Sequence, residues 1–170
     1  NLEDRQDDPW QRLRRLTSAR IGLARSGVSH STADVLQLSL AHALARDAVH
    51  EALDRTALCD DLHDAGFASV QVASQAVDRA TYLARPDLGR LLSSESAQLL
   101  QPNKSGDPAP LAIVVADGLA ARAVQTQAVR LLKALRSQID EGWLAGPVVV
   151  ASQARVAIGV EIAVRRKAAM

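Results

Sequence analysis

Two short runs of apolar residues, each followed by a segment of helical periodicity, organise the second half of the chain. The first run is Leu111–Val115, and a helical pattern follows from Leu119. The second run is Pro147–Ala151, and a helical pattern follows over Arg155–Ile162. Because neither run alternates apolar with polar residues, each predicts a strand that is covered on both faces. Together the two runs predict a parallel βαβ unit with a right-handed crossover.

The turns after these two strands are the first places to look for function. Ligands on open parallel sheets bind outside the carboxyl ends of the strands. Here Asp117–Gly118 follows the first run and Ser152–Val156 follows the second. Asp117 could act as a base, but the sequence places no histidine or lysine beside it. Since an aspartate before a glycine commonly stabilises a turn, we expect that role for Asp117, with catalysis as the alternative.

The first half of the chain has mainly helical patterns. Asp8 and Pro9 predict the start of one helix. The spacing of apolar residues from Ala33 to about Leu53 predicts a long second helix. Val70 and Val72 alternate with polar neighbours, which is a weak strand signal. The fold class that these patterns predict is α/β, with a helical N-terminal region before the βαβ unit.

One segment rich in proline, glycine and polar residues separates these two halves. Residues 102–110 read PNKSGDPAP, a composition typical of a linker. We therefore predict a helical N-terminal region over residues 1–101, a linker over 102–110, and an α/β domain over 111–170.

Composition excludes several classes of function. With 20 basic and 19 acidic residues, the chain has no broad charge that would attract nucleic acid or a membrane surface. Its few aromatic residues are too scattered for base stacking. No apolar run approaches the roughly 20 residues of a membrane span. The single cysteine, Cys59, forms no internal disulfide and is consistent with a cytoplasmic location.

Three histidines have spacings that are found in metal sites. His42 and His50 share a helix face, but no third ligand has a suitable spacing, and a surface or interface face is the favoured interpretation. His63 lies in Asp61–Gly66, which matches the D-x-H-x-x-G motif that supplies a histidine to cobalt in base-off cobalamin proteins. That motif requires a buried strand before it. Residues 57–60 (ALCD) do not form one, so we favour a structural role.

Three arginines flank a predicted helix start. Arg79, Arg85 and Arg90 could hold a phosphate or a carboxylate. Surface pairing with neighbouring aspartates is the favoured alternative. Asp87 is also predicted to cap a helix over Leu88–Gln101.

Five segments resemble, in order along the chain, the small subunit of ethanolamine ammonia-lyase. They are DPW at 8–10, TSARIGL at 17–23, HALARDAVH at 42–50, YLARPDLGR at 82–90 and IVVADGL at 113–119. The resemblance implies a subunit of an adenosylcobalamin-dependent enzyme that converts ethanolamine to acetaldehyde and ammonia. The radical chemistry of that family takes place in a separate large subunit, so no catalytic or metal-binding residue is expected in this chain. The implied fold is a Rossmann-like module that covers part of the cofactor.

One cofactor contact follows from the resemblance. Arg155–Gly159 is similar to the family segment whose valine touches cobalamin, which implies that Val156 is a cofactor-binding residue. From the residues alone, Val156 would be a core valine on a first helical turn. The later glutamate, cysteine and strands of the family have no counterpart here. The resemblance therefore predicts a C-terminally truncated subunit with an incomplete sheet, in which Val148–Val150 forms an edge strand.

These observations lead to one hypothesis, one rival and a least favoured third interpretation, which is a base-off cobalamin carrier that uses His63. The hypothesis is a non-catalytic small subunit that forms a hetero-oligomer with the large subunit and shares its adenosylcobalamin. Its location would be cytoplasmic, with a bacterial microcompartment as the narrower alternative. The rival is a helical scaffold or interaction fragment that docks a partner through Arg12–Arg25 and His42–His50 and holds no cobalamin.

Overall fold

The computed structural model describes residues 9–23, 25–100, 111–139, 141–144 and 146–168. The chain divides into two units, one within Asn1–Arg46 and the other within Asp47–Met170. The predicted linker at 102–110 lies outside the described residues, as does the predicted capping residue Asp8. The two units are described separately.

Among its described residues, the first unit contains one short helix, a hairpin and most of a long helix, which continues beyond Arg46 into the second unit. Helix α1 is Pro9–Arg14, strands β1 (Arg25–Ser26) and β2 (Ser29–His30) pair antiparallel, and helix α2 is Thr32–His50. The predicted long helix over 33–53 is thus confirmed, although it ends at His50.

Local contacts explain the geometry of this unit. The Ser31 hydroxyl accepts a hydrogen bond from the backbone N–H of Asp34 (3.1 Å) and donates one to its carboxylate (2.7 Å), which caps the start of α2. Gly22 has a φ of +59°, and the ring of Trp10 occupies the space that a side chain at position 22 would need. Arg14 donates hydrogen bonds to the carbonyls of Ile21 and Gly22. These contacts fix the segment that follows α1.

The second unit is built on a parallel sheet of three strands. They are β3 (Ser69–Ala73), β4 (Val114–Ala116) and β5 (Val148–Ser152), in the spatial order β3-β5-β4. The strands predicted from the two apolar runs are confirmed, and so is the weak signal at Val70 and Val72. The fold is therefore mixed α/β.

The predicted edge position of Val148–Val150 is wrong. Strand β5 lies at the centre of the sheet because β3 pairs with it on one side and β4 on the other. Residues Val148–Ala151 are at most 2% exposed, as expected for an apolar strand covered in every direction. The sheet thus combines β3, from before residues 102–110, with two strands from after them.

Helices cover both faces of the sheet. They are α3 (Arg55–Asp64), α5 (Ser94–Leu99), α6 (Ala121–Arg136) and α7 (Ile158–Arg166), while α4 (Arg79–Ala84) follows β3 in the chain. Successive residues of β5 point to opposite faces. Val148 and Val150 pack in a cluster with residues of α3 and α6, whereas Val149 and Ala151 pack in a cluster with residues of α7.

The predicted helix over Leu88–Gln101 is replaced by two shorter elements. Leu88–Arg90 forms a 3₁₀ turn, and α5 begins only at Ser94. Between them the backbone is extended, because Leu92 bridges to Ser74 beside the sheet. The predicted cap is also wrong, since Ser93 accepts the capping hydrogen bond from the Ser96 N–H (3.2 Å) and Asp87 makes none.

Candidate functional site

The carboxyl ends of the three parallel strands lie at one edge of the sheet, which we call the carboxyl edge. Its residues are Ser74 after β3, Asp117 after β4, and Ser152–Val156 after β5. Backbone hydrogen bonds join these loops: Ser74 N–H donates to the Ser152 carbonyl (3.1 Å), and Asp117 N–H donates to the Ala151 carbonyl (3.3 Å). The two turns predicted as functional are therefore adjacent in the structure.

The carboxylate of Asp117 stabilises the loop after β5 rather than its own turn. Its Oδ2 accepts a hydrogen bond from Gln153 N–H (2.8 Å), and its Oδ1 accepts one from Ala154 N–H (3.0 Å). The side chain is buried, with 4% of the residue exposed. We call this pair of hydrogen bonds the Asp117 bridge. A structural role was the favoured prediction, and the structure extends it to a neighbouring loop.

Further contacts hold Gln153 in place. Its φ is +51°, a left-handed conformation that residues other than glycine rarely adopt. The Ser74 hydroxyl donates to the Gln153 carbonyl (2.6 Å), and Arg79 donates to its side-chain Oε1 (3.3 Å). Backbone N–H, backbone carbonyl and side chain of Gln153 are therefore all bonded.

Arg79, the first residue of α4, places a positive charge beside the Asp117 bridge. One of its terminal nitrogens lies 3.8 Å from the Asp117 carboxylate, and its Nε donates to the Val49 carbonyl (2.6 Å). Its other terminal nitrogen is buried and has no hydrogen-bond partner among the residues that the structure describes. Arg79 thus balances a buried carboxylate and connects α4 to the loop after β5.

Tyr82 forms the apolar support beneath that loop. It is buried, and its hydroxyl donates to the Ala154 carbonyl (3.4 Å). The guanidinium carbons of Arg79 and Arg155 lie 4.7 and 4.6 Å from the centre of its ring, which are cation–π distances. Burial raises the pKa of the Tyr82 phenol, and the nearby Asp117 carboxylate raises it further, whereas the two arginines oppose the shift.

Arg155 anchors the end of the loop. Its backbone N–H donates to the Gly89 carbonyl (2.8 Å), and its side chain donates to the Tyr82 carbonyl (3.1 Å). A Cβ on Gly89 would lie 3.1 Å from the Tyr82 ring, so the close approach of the 3₁₀ turn favours glycine there. The Nε of Arg155 is also buried, and no described residue accepts a hydrogen bond from it.

Val156 extends from this anchored loop into solvent. It is 97% exposed, whereas Ala154 and Ile158 on either side are at most 1% exposed. The interpretation of Val156 as a core valine is therefore wrong, because the neighbouring positions supply the core contacts. A contact between Val156 and a cofactor stays a prediction.

Of the three arginines predicted as an anion site, Arg79 and Arg85 have different partners, and Arg90 is exposed at the end of the 3₁₀ turn. Arg79 lies at the carboxyl edge, whereas Arg85 donates two hydrogen bonds to Asp87, at 3.0 and 2.7 Å. That hydrogen-bonded pair lowers the pKa of Asp87. The favoured interpretation as a surface ion pair is confirmed for Arg85. Asp78 pairs with no arginine here, since it accepts the Thr81 N–H (2.7 Å) and caps α4.

The three histidines considered as metal ligands lie on helices α2 and α3. His63 is in the last turn of α3, and the chain after it enters the amino end of β3. It therefore does not follow a strand, as the cobalt-binding motif would require. His42 and His50 are exposed on α2. Over the described ranges, no group of three His, Cys, Asp or Glu residues could hold a metal ion, and no helix has the length and hydropathy to span a membrane.

Sequence reasoning missed the roles of Tyr82, Gly89 and Arg155. Each contacts residues that are distant along the chain, and no local pattern marks such partners. The segment YLARPDLGR at 82–90 drew attention only as part of the resemblance. Within that segment, Tyr82 and Gly89 contact the loop after β5 and hold it in place.

The fold and the carboxyl edge define a mixed α/β protein whose candidate ligand contact lies on an anchored loop after a central parallel strand. The family model described as "Ethanolamine ammonia-lyase light chain (EutC)" matches residues 7–170, and the chain belongs to this family.

Relatives with known names agree with this assignment. The "Ethanolamine ammonia-lyase small subunit" of Pseudomonas fluorescens (strain SBW25) is 48% identical over 162 residues, which cover 94% of this chain and 58% of the relative. The protein of the same name from Ralstonia nicotianae is 46% identical over 166 residues, covering 96% of this chain and 62% of the relative. That from Xanthomonas campestris pv. campestris is 50% identical over 162 residues, covering 91% and 58%. The chain thus spans about three fifths of the length of the curated relatives it matches.

Proposed function

We propose that this chain acts as a small subunit of adenosylcobalamin-dependent ethanolamine ammonia-lyase, which converts ethanolamine to acetaldehyde and ammonia. Its membership of the light-chain family supports this proposal, as does 46–50% identity to named small subunits over more than nine tenths of the chain. In this proposal the chain forms a hetero-oligomer with a large subunit. It covers part of the shared cofactor and contributes no catalytic residue.

The observation that carries the cofactor part of the proposal is the position of the exposed Val156 in the fold. Exposure alone is not distinctive, because single exposed valines are common and Val28 and Val77 of this chain are 96% and 87% exposed. Here the exposed valine lies at the carboxyl edge of a parallel sheet, where ligands of such folds bind. Because its side chain has no donor or acceptor atom, Val156 would contact cobalamin through its backbone or by van der Waals packing. The residues present therefore fit a large and partly apolar ligand.

When bound, adenosylcobalamin supplies the radical chemistry of the reaction, which the family resemblance assigns to the large subunit. The residues of this chain bind and orient. Val156 covers apolar surface of the cofactor and excludes water from it, and Arg155 fixes the loop by its bond to the Gly89 carbonyl (2.8 Å).

Helix α2 supports the assembly part of the proposal. None of its residues is buried, and Leu36, Leu40 and Leu44, at four-residue spacing, are each at least 60% exposed. A helix with so much exposed apolar surface is typical of one that packs against another protein. We propose that the large subunit covers this surface, since the family name of this chain is that of a light chain.

The boundaries and location of the cofactor-contacting region are also proposals. We place that region at the carboxyl edge, within the domain predicted over residues 111–170. The resemblance implies a Rossmann-like fold for this domain, and β3 adds a strand to its sheet. The proposed location is the cytoplasm, where the single cysteine, Cys59, would stay reduced. A bacterial microcompartment is the narrower form of this proposal.

Reconstitution with an ethanolamine ammonia-lyase large subunit tests the function. We expect acetaldehyde only when both chains, adenosylcobalamin and ethanolamine are present. Gel filtration of the mixture should give one complex that retains cobalamin absorbance. Acetaldehyde from the purified chain alone, or from the large subunit alone at the same rate, would contradict the proposal.

Paired variants test the contact at Val156. Val156→Asp should reduce the cobalamin retained by the complex, because a carboxylate would be desolvated against apolar surface. Val28→Asp is the matched control, since Val28 is 96% exposed in the hairpin of the first unit. If the unaltered chain forms a complex that retains no cobalamin, the helical scaffold is favoured instead. The exposure of α2 is the observation that supports this alternative.

A further inference from the structure

We propose that Asp117 is a positioning residue, whose buried carboxylate holds the loop after β5 in the conformation that presents Val156. The inference rests on the proposed function, because that function gives Val156 a ligand to contact. Neither the family match nor the similar proteins assign Asp117 a role.

The Asp117 bridge constrains the loop more strongly than a single hydrogen bond would. Two successive backbone N–H groups, of Gln153 and Ala154, donate to the two oxygens of one carboxylate, at 2.8 and 3.0 Å. Two fixed N–H directions determine the orientation of two successive peptide planes. They therefore set the direction in which the chain continues toward Val156.

Gln153 needs such a constraint. A φ of +51° is costly for a residue with a side chain, so this conformation persists only where surrounding contacts stabilise it. A free loop would relax to a negative φ and turn the following residues elsewhere. The Asp117 bridge, together with the Ser74 bond to the Gln153 carbonyl (2.6 Å), supplies the stabilising contacts.

The geometry requires a carboxylate rather than an amide. Both partners of Asp117 are donors, so both of its terminal atoms must accept. Asparagine would place an NH₂ group against one of the two N–H groups. At 4% exposure, water has little access to replace the lost acceptor. Arg79, at 3.8 Å, compensates the buried negative charge.

Beyond the bridge the loop is anchored again. Ala154 is fully buried, and the Arg155 N–H is bonded to the Gly89 carbonyl (2.8 Å). Val156 follows directly and is exposed. A side chain held in advance on a fixed backbone avoids the entropy cost of ordering a loop when ligand binds.

The first test measures hydrogen exchange of the 170-residue chain without cofactor or large subunit. In Asp117→Asn, we expect the amides of Gln153 and Ala154 to exchange about tenfold faster or more. The amides of Val149 and Val150 should keep their protection. Asp87→Asn is the matched control, because Asp87 is exposed and paired with Arg85. Unchanged exchange at 153 and 154 would overturn the inference, and so would an equal increase throughout β5.

A second variant keeps the test decisive if Asp117→Asn does not fold. Gln153→Gly retains both N–H donors and removes the cost of the positive φ. Because the Asp117 bridge remains, the loop amides should exchange at the rate of the unaltered chain. Faster exchange in Gln153→Gly would show that the side chain of Gln153, rather than Asp117, holds the loop.

The second test measures the dissociation constant of adenosylcobalamin, by absorbance, in the complex with the large subunit. Asp117→Asn should raise it about tenfold, and Asp87→Asn should leave it unchanged. If Asp117 acts through Val156, the effects of Asp117→Asn and Val156→Ala will not add in the double variant. Additive effects would overturn the positioning role. If the unaltered complex binds no cobalamin, the proposed function is overturned. Hydrogen exchange would still show whether Asp117 holds the loop after β5, because that test uses neither cofactor nor large subunit.

Discussion

Helices α2 and α6 have similar compositions and opposite environments. Both are long and rich in alanine and leucine, with 19 residues in α2 and 16 in α6. Helix α6 buries Ala121, Ala128 and Leu132 under the sheet, whereas α2 buries none of its residues. The contrast arises from the spacing of the apolar positions, not from their number.

The spacing in α6 defines one face. Ala121, Ala128 and Leu132 are separated by seven and four residues, which places them in a single stripe on a helix. In α2, Leu36, Leu38 and Leu40 occupy every second position, so successive leucines point about 200° apart around the axis. Helix α6 therefore needs one apolar partner, and the sheet provides it. Helix α2 presents apolar surface in several directions, which a second protein chain could cover.

The largest expected effect is the loss of stability when leucine is replaced by alanine in α6, compared with the same replacement in α2. Leu132→Ala should lower the free energy of unfolding by about 2–5 kcal/mol, because it leaves a cavity beside Leu58 and Val150. Leu40→Ala should change it by less than about 0.5 kcal/mol, since Leu40 is exposed. Urea denaturation of the two variants measures both values. Equal losses would mean that α2 is packed as tightly as α6.

The next effect concerns assembly. Leu40→Asp should weaken binding of the large subunit at least about tenfold, because a charge would be buried in the proposed interface. Leu131→Asp makes the same change on the exposed face of α6 and should leave binding unaltered. Titration of a labelled large subunit with each variant gives the dissociation constants. Similar weakening by both variants would remove the distinction between the helices.

The smallest expected effect is a pH dependence of stability in the second unit, which contains Tyr82, the single tyrosine of the chain. Burial raises the pKa of its phenol above the ordinary value of 10.0, so the folded state retains the proton at pH values where the unfolded state has lost it. The resulting stability is present below about pH 10 and is lost as the pH rises through the folded-state pKa. Urea denaturation between about pH 8 and 11 should therefore show a decline that Tyr82→Phe reduces. An unchanged decline in that variant would assign it to other groups.

Local sequence patterns predicted the elements of the core correctly. The unbroken apolar runs identified β4 and β5, and the alternation of Val70 and Val72 identified β3. The apolar periodicity also identified α2 and α6. These predictions succeed because strand and helix periodicity depend on neighbours within a few residues of each other. The resemblance of the five segments to the ethanolamine ammonia-lyase small subunit also came from the sequence alone, and the family match confirms it.

The tertiary structure decided which of these elements meet. Only the pairing of the strands shows that β5 is central and not an edge strand, because its neighbour β3 comes from nearly 80 residues earlier in the chain. The hydrogen bond from Ser74 to Gln153, for example, spans 79 positions. Asp117 accepts hydrogen bonds from backbone N–H groups that lie 36 and 37 positions later in the chain. Arg79 approaches Asp117, whereas Arg85, six residues later, pairs with Asp87. No periodic pattern encodes such distant partners, because they depend on the order in which strands pair and on the space left between helices. The exposure of Val156 follows from the same contacts, which bury Ala154 and Ile158, two positions away on each side, and leave the Val156 side chain in solvent.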